Sequence, residues 1–227
     1  MVLKRKINLF AIYAELYNEL RKHKIRFSKS GFPHFRKSFF VKKKPSEILP
    51  FKNRLQCKEK RTTALCTFCG DEFIYPRLKN LKRDLPVYKE YYAVVVFDLS
   101  PRVEWKTELQ RFNICLNQMA AIYLALNGVK LIGNLRTGDF NTYDALNSYP
   151  TNVPFFTGTL GCTKQNDKGD ICSFEQKILI SSPSKCWLYG NNDKQVTNVL
   201  KDHNVSYDVF SDFRTKSFAK SREALNG

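Results

Sequence analysis

Apolar residues along this chain recur in two rhythms, and the way those rhythms alternate predicts the architecture. Between residues 5 and 24, Ile7, Phe10, Ala14, Tyr17 and Leu20 fall on one face of a helix, with Lys and Arg elsewhere. Gly31-Phe32-Pro33 breaks that pattern. Residues 91–99, YYAVVVFDL, are β-branched, aromatic and near-continuously apolar, which marks a strand buried on both faces. A helix over 104–126 follows, its apolar face including Leu109, Phe112, Leu116, Met119, Ile122 and Leu126, and Asn127-Gly128 supplies its stop. Further strands are expected at 65–74, ending near Asp71-Glu72, and at 129–135, 153–160, 185–189 and 206–210. A short helix capped by Ser46 is expected at Pro45-Ser46-Glu47. Others are expected from the end of the 65–74 strand through about Leu81, at 141–148 with Asn141 or Thr142 as cap, and at 193–203. Residues 173–181 read as helix, although Ile178-Leu179-Ile180 also fit a strand. Residues 162–172 read as a polar loop, and those after about 214 as a frayed basic tail.

Strand and helix therefore alternate from about residue 65 to 210. That order predicts an α/β fold, a mostly parallel sheet flanked by helices with right-handed crossovers. An incomplete βα barrel reads the same. The expected organisation is a basic, partly helical N-terminal arm at 1–44, an α/β domain at 45–213 and a flexible tail at 214–227. No internal repeat or low-complexity tract interrupts it. The chain, at 227 residues, is long enough for one sizeable core.

Charge changes the picture of the first quarter. Residues 1–61 hold 18 Lys/Arg against 4 Asp/Glu, whereas the other 166 residues hold 20 against 17, so nearly all of the net +17 lies at one end. Such asymmetry fits a polyanionic partner, nucleic acid ahead of a membrane surface, although solvated Lys also serves plain solubility. The segment 34–45, HFRKSFFVKKKP, interleaves aromatic rings with cations, the combination that holds single-stranded nucleic acid. On that reading Arg21, Lys22, Lys24, Arg26, Arg36, Lys37, Lys42, Lys43 and Lys44 contact phosphate, while Phe35, Phe39 and Phe40 stack on bases. The plainer alternative is that the three rings anchor the arm to the core.

No run approaches the roughly 20 apolar residues of a membrane span. The start, MVLKRKINLFAIYAELYNEL, is basic then apolar like a signal peptide. Glu15, Asn18 and Glu19 interrupt the apolar part, so it reads as an amphipathic helix and a cytoplasmic location is expected. Seven scattered cysteines, an odd number, agree with a reducing compartment.

Several stretches also carry a resemblance. KPSEILPFKN, GDEFIYPRLKN, VVVFDLSP, GVKLIGNLRTGDFNTYDAL, FFTGTLGC and CWLYG follow one another as in the phage and bacterial family called domain of unknown function 4417, over about residues 45–213. Thr137 stands where that family usually has an aromatic before the Gly, and Leu160 where a polar residue is common. The resemblance implies an α/β domain carried by phages or mobile elements, with DNA replication as a natural setting and the host cytoplasm as its location. It lends no activity.

Candidate chemistry sits at the strand ends. Asp71, Asp98 and Asp139, with Arg136, are each expected where a strand opens into a loop. Converging on one rim, three carboxylates would hold Mg²⁺ or Mn²⁺ for phosphoester hydrolysis, or act as acid and base on a sugar. Asp at strand ends also caps helices and turns, which needs no catalysis. Cys66-Thr67-Phe68-Cys69 is a lone C-x-x-C; zinc would need Cys57, Cys162, Cys172 or His34 to complete it, and thiols packed as small apolar groups are the simpler reading. His23, His34 and His203 lie in no catalytic context, and no His-hydrophobe-His pair of the rolling-circle nuclease type occurs. Gly158-Thr159-Leu160-Gly161 is too short and too poor in Gly for a Walker loop, though its N–H groups could face an anion. Three classes of function thus stand: a nucleic-acid-binding protein, a metal-dependent hydrolase, and a module whose arm docks an acidic protein.

Overall fold

Residues 91–99 supply the centre of the sheet. In the computed structural model, which describes residues 7–158, 168–213 and 215, their Ala93–Val95 portion is the third strand of seven. In chain order the strands are β1 (Glu47–Pro50), β2 (Thr63–Cys66), β3 (Ala93–Val95), β4 (Leu131–Asn134), β5 (Pro154–Gly158), β6 (Lys185–Tyr189) and β7 (Ser206–Phe210). They lie side by side in that same order and every pair is parallel. The helices are α1 (Leu9–Lys22), α2 (Asp71–Lys79), α3 (Leu81–Lys89), α4 (Thr107–Leu126), α5 (Lys168–Ser181) and α6 (Lys194–Asp202), with a 3-10 stretch at Phe140–Ser148 between β4 and β5. A parallel sheet whose order follows the chain, joined by right-handed crossovers, keeps its connecting helices on one face. The sheet therefore curls, and the fold is an α/β half-barrel, the incomplete barrel anticipated above.

The two faces of the strands make two cores. Leu49, Leu65, Val94, Leu131, Phe155 and Leu188 point outward and pack with the helices. Ile48, Ala64, Cys66, Ala93, Val95, Ile132, Phe156, Trp187, Tyr189 and Phe210 point inward and pack on one another. Both faces being apolar explains why the strands read as continuous runs rather than as alternation. Small residues at 64, 66 and 93 share this inner cluster with large ones at 156, 187 and 210. Lys44, just before β1, pairs with Asp208 of β7 at 2.7 Å and so links the two edges.

The N-terminal segment is part of this core. Leu16 and Leu20 of α1, then Ile25, Phe32, Phe35, Phe39 and Phe40, are all buried in the outer cluster. Phe27 and Pro33 bridge a tight hairpin, and Arg111 of α4 donates to Ser30 O at its tip while holding Asp144. Val41 N bonds Leu131 O at the start of β4, so residues 35–45 run beneath the N-terminal ends of the strands. The separate arm expected over 1–44 is, from residue 7 onward, a docked layer of the half-barrel.

Several element assignments change. Residues 47–50 form a strand where a Ser46-capped helix was expected; Ser46 Oγ instead donates to Thr62, tying β1 to the start of β2. β2 stops at Cys66 and Asp71 opens α2, so Asp71 belongs to a helix start and not to a strand end. The expected helix at 141–148 is a 3-10 stretch capped by Asp139, whose Oδ1 accepts from Asn141 N at 3.0 Å. Residues 178–180 are helical. α4 ends as anticipated, with Gly128 at φ 93°, a left-handed stop that glycine adopts without strain. The expected polar loop at 162–172 is helical from residue 168, where α5 begins, and residues 162–167 lie outside the described residues, as does the expected tail from 214 apart from residue 215.

Candidate functional site

The C-terminal ends of β2 to β7 open into a single cleft of about 1370 Å³. Parallel strands leave their carboxyl ends free to carry loops, which is where α/β proteins bind ligands. Asp98, Arg136 and Asp139 line it, and Asp71 stands beside Asp98. The structure thus brings the expected rim together as a neighbourhood, but gives its members different work.

Asp98 follows β3 and has a side chain only 17% exposed. Asn134, at the end of β4, donates to its Oδ1 at 3.1 Å and also to the Val96 carbonyl at 3.1 Å. Thr67 Oγ1 receives the Asp98 backbone N–H at 2.9 Å. Burial pushes the Asp98 carboxyl above its ordinary value; Arg136 and the Asn134 amide draw it back, and neighbouring Asp71 adds to the rise. Arg136 Nε stands 3.9 Å from Asp98 Oδ1, outside hydrogen-bond length, and its side chain is 43% exposed to the cleft. Asp71 Oδ1 accepts the Ser100 N–H at 3.0 Å and so braces the loop behind Asp98.

Asp139 is a structural clasp. Its Oδ1 caps the 3-10 stretch, and its Oδ2 accepts from Gln110 Nε2 at 2.9 Å while its own N–H bonds Gln110 Oε1 at 2.8 Å. Gly138 makes room for that clasp, because a Cβ there would lie 1.9 Å from Gln110 Oε1. Among the described residues no three His, Cys, Asp or Glu side chains meet as metal ligands, so the rim carboxylates do not assemble the Mg²⁺ or Mn²⁺ site considered above. Cys66 is buried on the inner wall with its thiol pushed up to about 12, and burial holds the Cys69 thiol at about 11. Both stay protonated at neutral pH, as thiols packed among apolar groups do. Cys162 and residues 159–161 of the Gly158-Thr159-Leu160-Gly161 segment lie outside the described residues.

Sequence reasoning missed Asn134, Thr137 and Gln110. Asn134 closes a buried strand with an amide, and that polar end to an apolar run was its only signal. Thr137 Oγ1 is buried without a hydrogen-bond partner among the described residues, although Thr137 lines the cleft. In the sequence it stood out only as a departure from the resembling family, which usually has an aromatic there.

A second surface gathers at the opposite, N-terminal ends of the strands. Arg21, Lys22, Lys24, Arg26, Arg36, Lys37, Lys42, Lys43 and Lys44 are all exposed. Arg36 donates to His23 O at the end of α1, and Lys130 before β4 donates to Ser38 O, which draws these cations together. Among the described residues, Lys22 and Lys44 alone of the nine are in ion pairs, with Glu19 and Asp208. Phe35, Phe39 and Phe40 are 6%, 8% and 5% exposed, and Phe35 stacks on Tyr149 at 4.4 Å. These rings anchor the segment and present no face to a base, which corrects their assignment as stacking residues.

No protein-family model, no curated protein and no solved structure matches the chain. No helix among the described residues is long and apolar enough to cross a membrane.

Proposed function

We propose that this is a nucleic-acid-binding protein that grips the phosphate backbone with the basic face beneath the sheet. The observation that carries the reading is that all nine candidate cations between residues 21 and 44 are exposed, on a segment whose rings Phe35, Phe39 and Phe40 are buried. Fixed cations without stacking rings favour contact with phosphates over contact with bases. Binding is therefore sequence-tolerant, with no built-in preference for single strands. The cations sit on a packed layer, so their spacing is set before the ligand arrives.

The test is fluorescence anisotropy of the full chain with single-stranded and duplex DNA across a salt series. Log affinity should fall linearly with log salt, and the triple variant Lys37→Gln, Lys42→Gln, Lys43→Gln should make that slope shallower by about one for each phosphate no longer neutralised. Absence of binding at about 50 mM salt would overturn the reading.

A further inference from the structure

The cleft at the C-terminal ends of the strands holds polar groups whose bonding the fold leaves incomplete. The Arg136 guanidinium lies beside Asp98 without hydrogen-bonding it, and faces the cleft. The Arg136 backbone is held from behind, since its N–H bonds Asn134 Oδ1 at 3.1 Å and the same Asn134 holds Asp98. The next residue, Thr137, is 6% exposed, and its hydroxyl has no hydrogen-bond partner among the described residues. A buried hydroxyl left unpaired is a standing cost that a ligand oxygen would remove. At the rim of the same cleft Phe73 is 48% exposed, with the Lys52 ammonium 5.2 Å from its ring centre. The ring thus offers the cleft a partly exposed flat apolar surface on which a planar group can stack.

We propose that this cleft binds a phosphomonoester carried on a flat ring, of the nucleoside monophosphate class, with the phosphate on Arg136, Asp98 and Thr137 and the ring on Phe73. A guanidinium offers planar paired donors that match phosphate oxygens. Thr137 supplies a hydroxyl donor, and Asp98 in its acid form supplies another. A volume of about 1370 Å³ accommodates a whole nucleotide, which a site for phosphate alone would not need. The cleft lies at the opposite end of the strands from the basic face, so this site is independent of the polyanion contacts proposed above.

Asp98 makes the site sensitive to pH. The groups facing it are Asp71 at the start of α2, Cys66 and Cys69 around the end of β2, and Asn134 and Arg136 after β4. Ionised, Asp98 repels phosphate; protonated, it donates to it. Binding through Asp98 therefore weakens as pH rises through its titration. Asp98→Asn keeps a donor and carries no charge, so it should remove this part of the pH dependence.

Calorimetric titration of the full chain with adenosine monophosphate and with inorganic phosphate, at about pH 5 and about pH 8, tests the assignment. The nucleotide should bind more tightly than phosphate, and Arg136→Gln should weaken both by about tenfold or more. Phe73→Ala should weaken the nucleotide alone. Thr137→Val should weaken binding while raising the melting temperature of the free protein, because it removes the unpaired hydroxyl; a merely structural Thr137 would not move the affinity. Circular dichroism would check that each variant is folded. Wild-type protein that binds no nucleotide at either pH would overturn the proposal. So would nucleotide binding undiminished by Arg136→Gln, which would put the phosphate on the basic face, and so would equal affinities for nucleotide and phosphate.

Discussion

Asp98 and Asp139 are both aspartates in loops after a strand, yet their surroundings divide them. Asp139 commits both oxygens to Asn141 N and Gln110, and holds a loop. Asp98 is sunk beside Asn134 and Arg136, where burial outweighs the attraction of the guanidinium. A carboxyl raised in the folded state loses its proton later than in the unfolded chain. As pH climbs past the ordinary value of 3.8 the unfolded form ionises first, so folding is penalised increasingly until the folded carboxyl ionises too. Asp98→Asn, which still offers an oxygen to Asn134, should therefore be more stable than wild type at neutral pH, with the gap closing as pH falls below about 4. Urea unfolding at two pH values measures this. A gap that widened toward acid would contradict the burial of this carboxyl. That Asp98 differs from Asp139 was not legible in the sequence, because both read as an aspartate leaving a strand.

At the scale of elements, α4 does more than pack. Its apolar period was legible, and Leu116, Met119 and Ile122 are fully buried. Leu109, also assigned to that face, is 47% exposed, and the helix instead buries a row of amides. Gln110 reaches the Trp105 carbonyl and Asp139, Asn113 reaches Ser100 O, and Asn117 both donates to Leu99 O and accepts from Leu99 N. Spaced along one side of the helix, these amides serve as backbone partners for the irregular segment that carries Asp98. Asn117→Ala should leave the buried Leu99 N–H and C=O unpaired, costing about 2–4 kcal/mol in denaturant unfolding. It should also weaken any ligand held by Asp98. Asn117→Leu should fare no better, since added apolar contact does not satisfy the two backbone groups.

For the whole molecule, the N-terminal segment decides what can be removed. The sequence reading set residues 1–44 apart as a basic arm, but α1 and residues 25–40 put seven large apolar side chains into the main core. Each such side chain stabilises by about 1.5–3 kcal/mol, together about 10–21 kcal/mol, which matches or exceeds the roughly 5–15 kcal/mol typical of a whole domain. A chain lacking residues 1–44 should fail to fold, seen as loss of near-ultraviolet dichroism and of a cooperative transition. A truncated chain that unfolds cooperatively would restore the picture of a separable arm. The basic face is for the same reason best probed by substituting its charges.

What the sequence determined by itself was the alternation of strands and helices, a strand within 91–99, the end of α4 and the basic bias of the first quarter. Each depends on near neighbours in the chain: periodicity, turn residues or a simple count. Tertiary structure alone decided which aromatic residues are buried, which aspartate caps and which stays poised beside Arg136, and that residues 7–44 belong to the half-barrel. Those outcomes rest on contacts between residues far apart in sequence, such as Gln110 with Asp139, Phe35 with Tyr149 and Lys44 with Asp208. Local propensity carries no record of which distant groups a curled sheet will bring together.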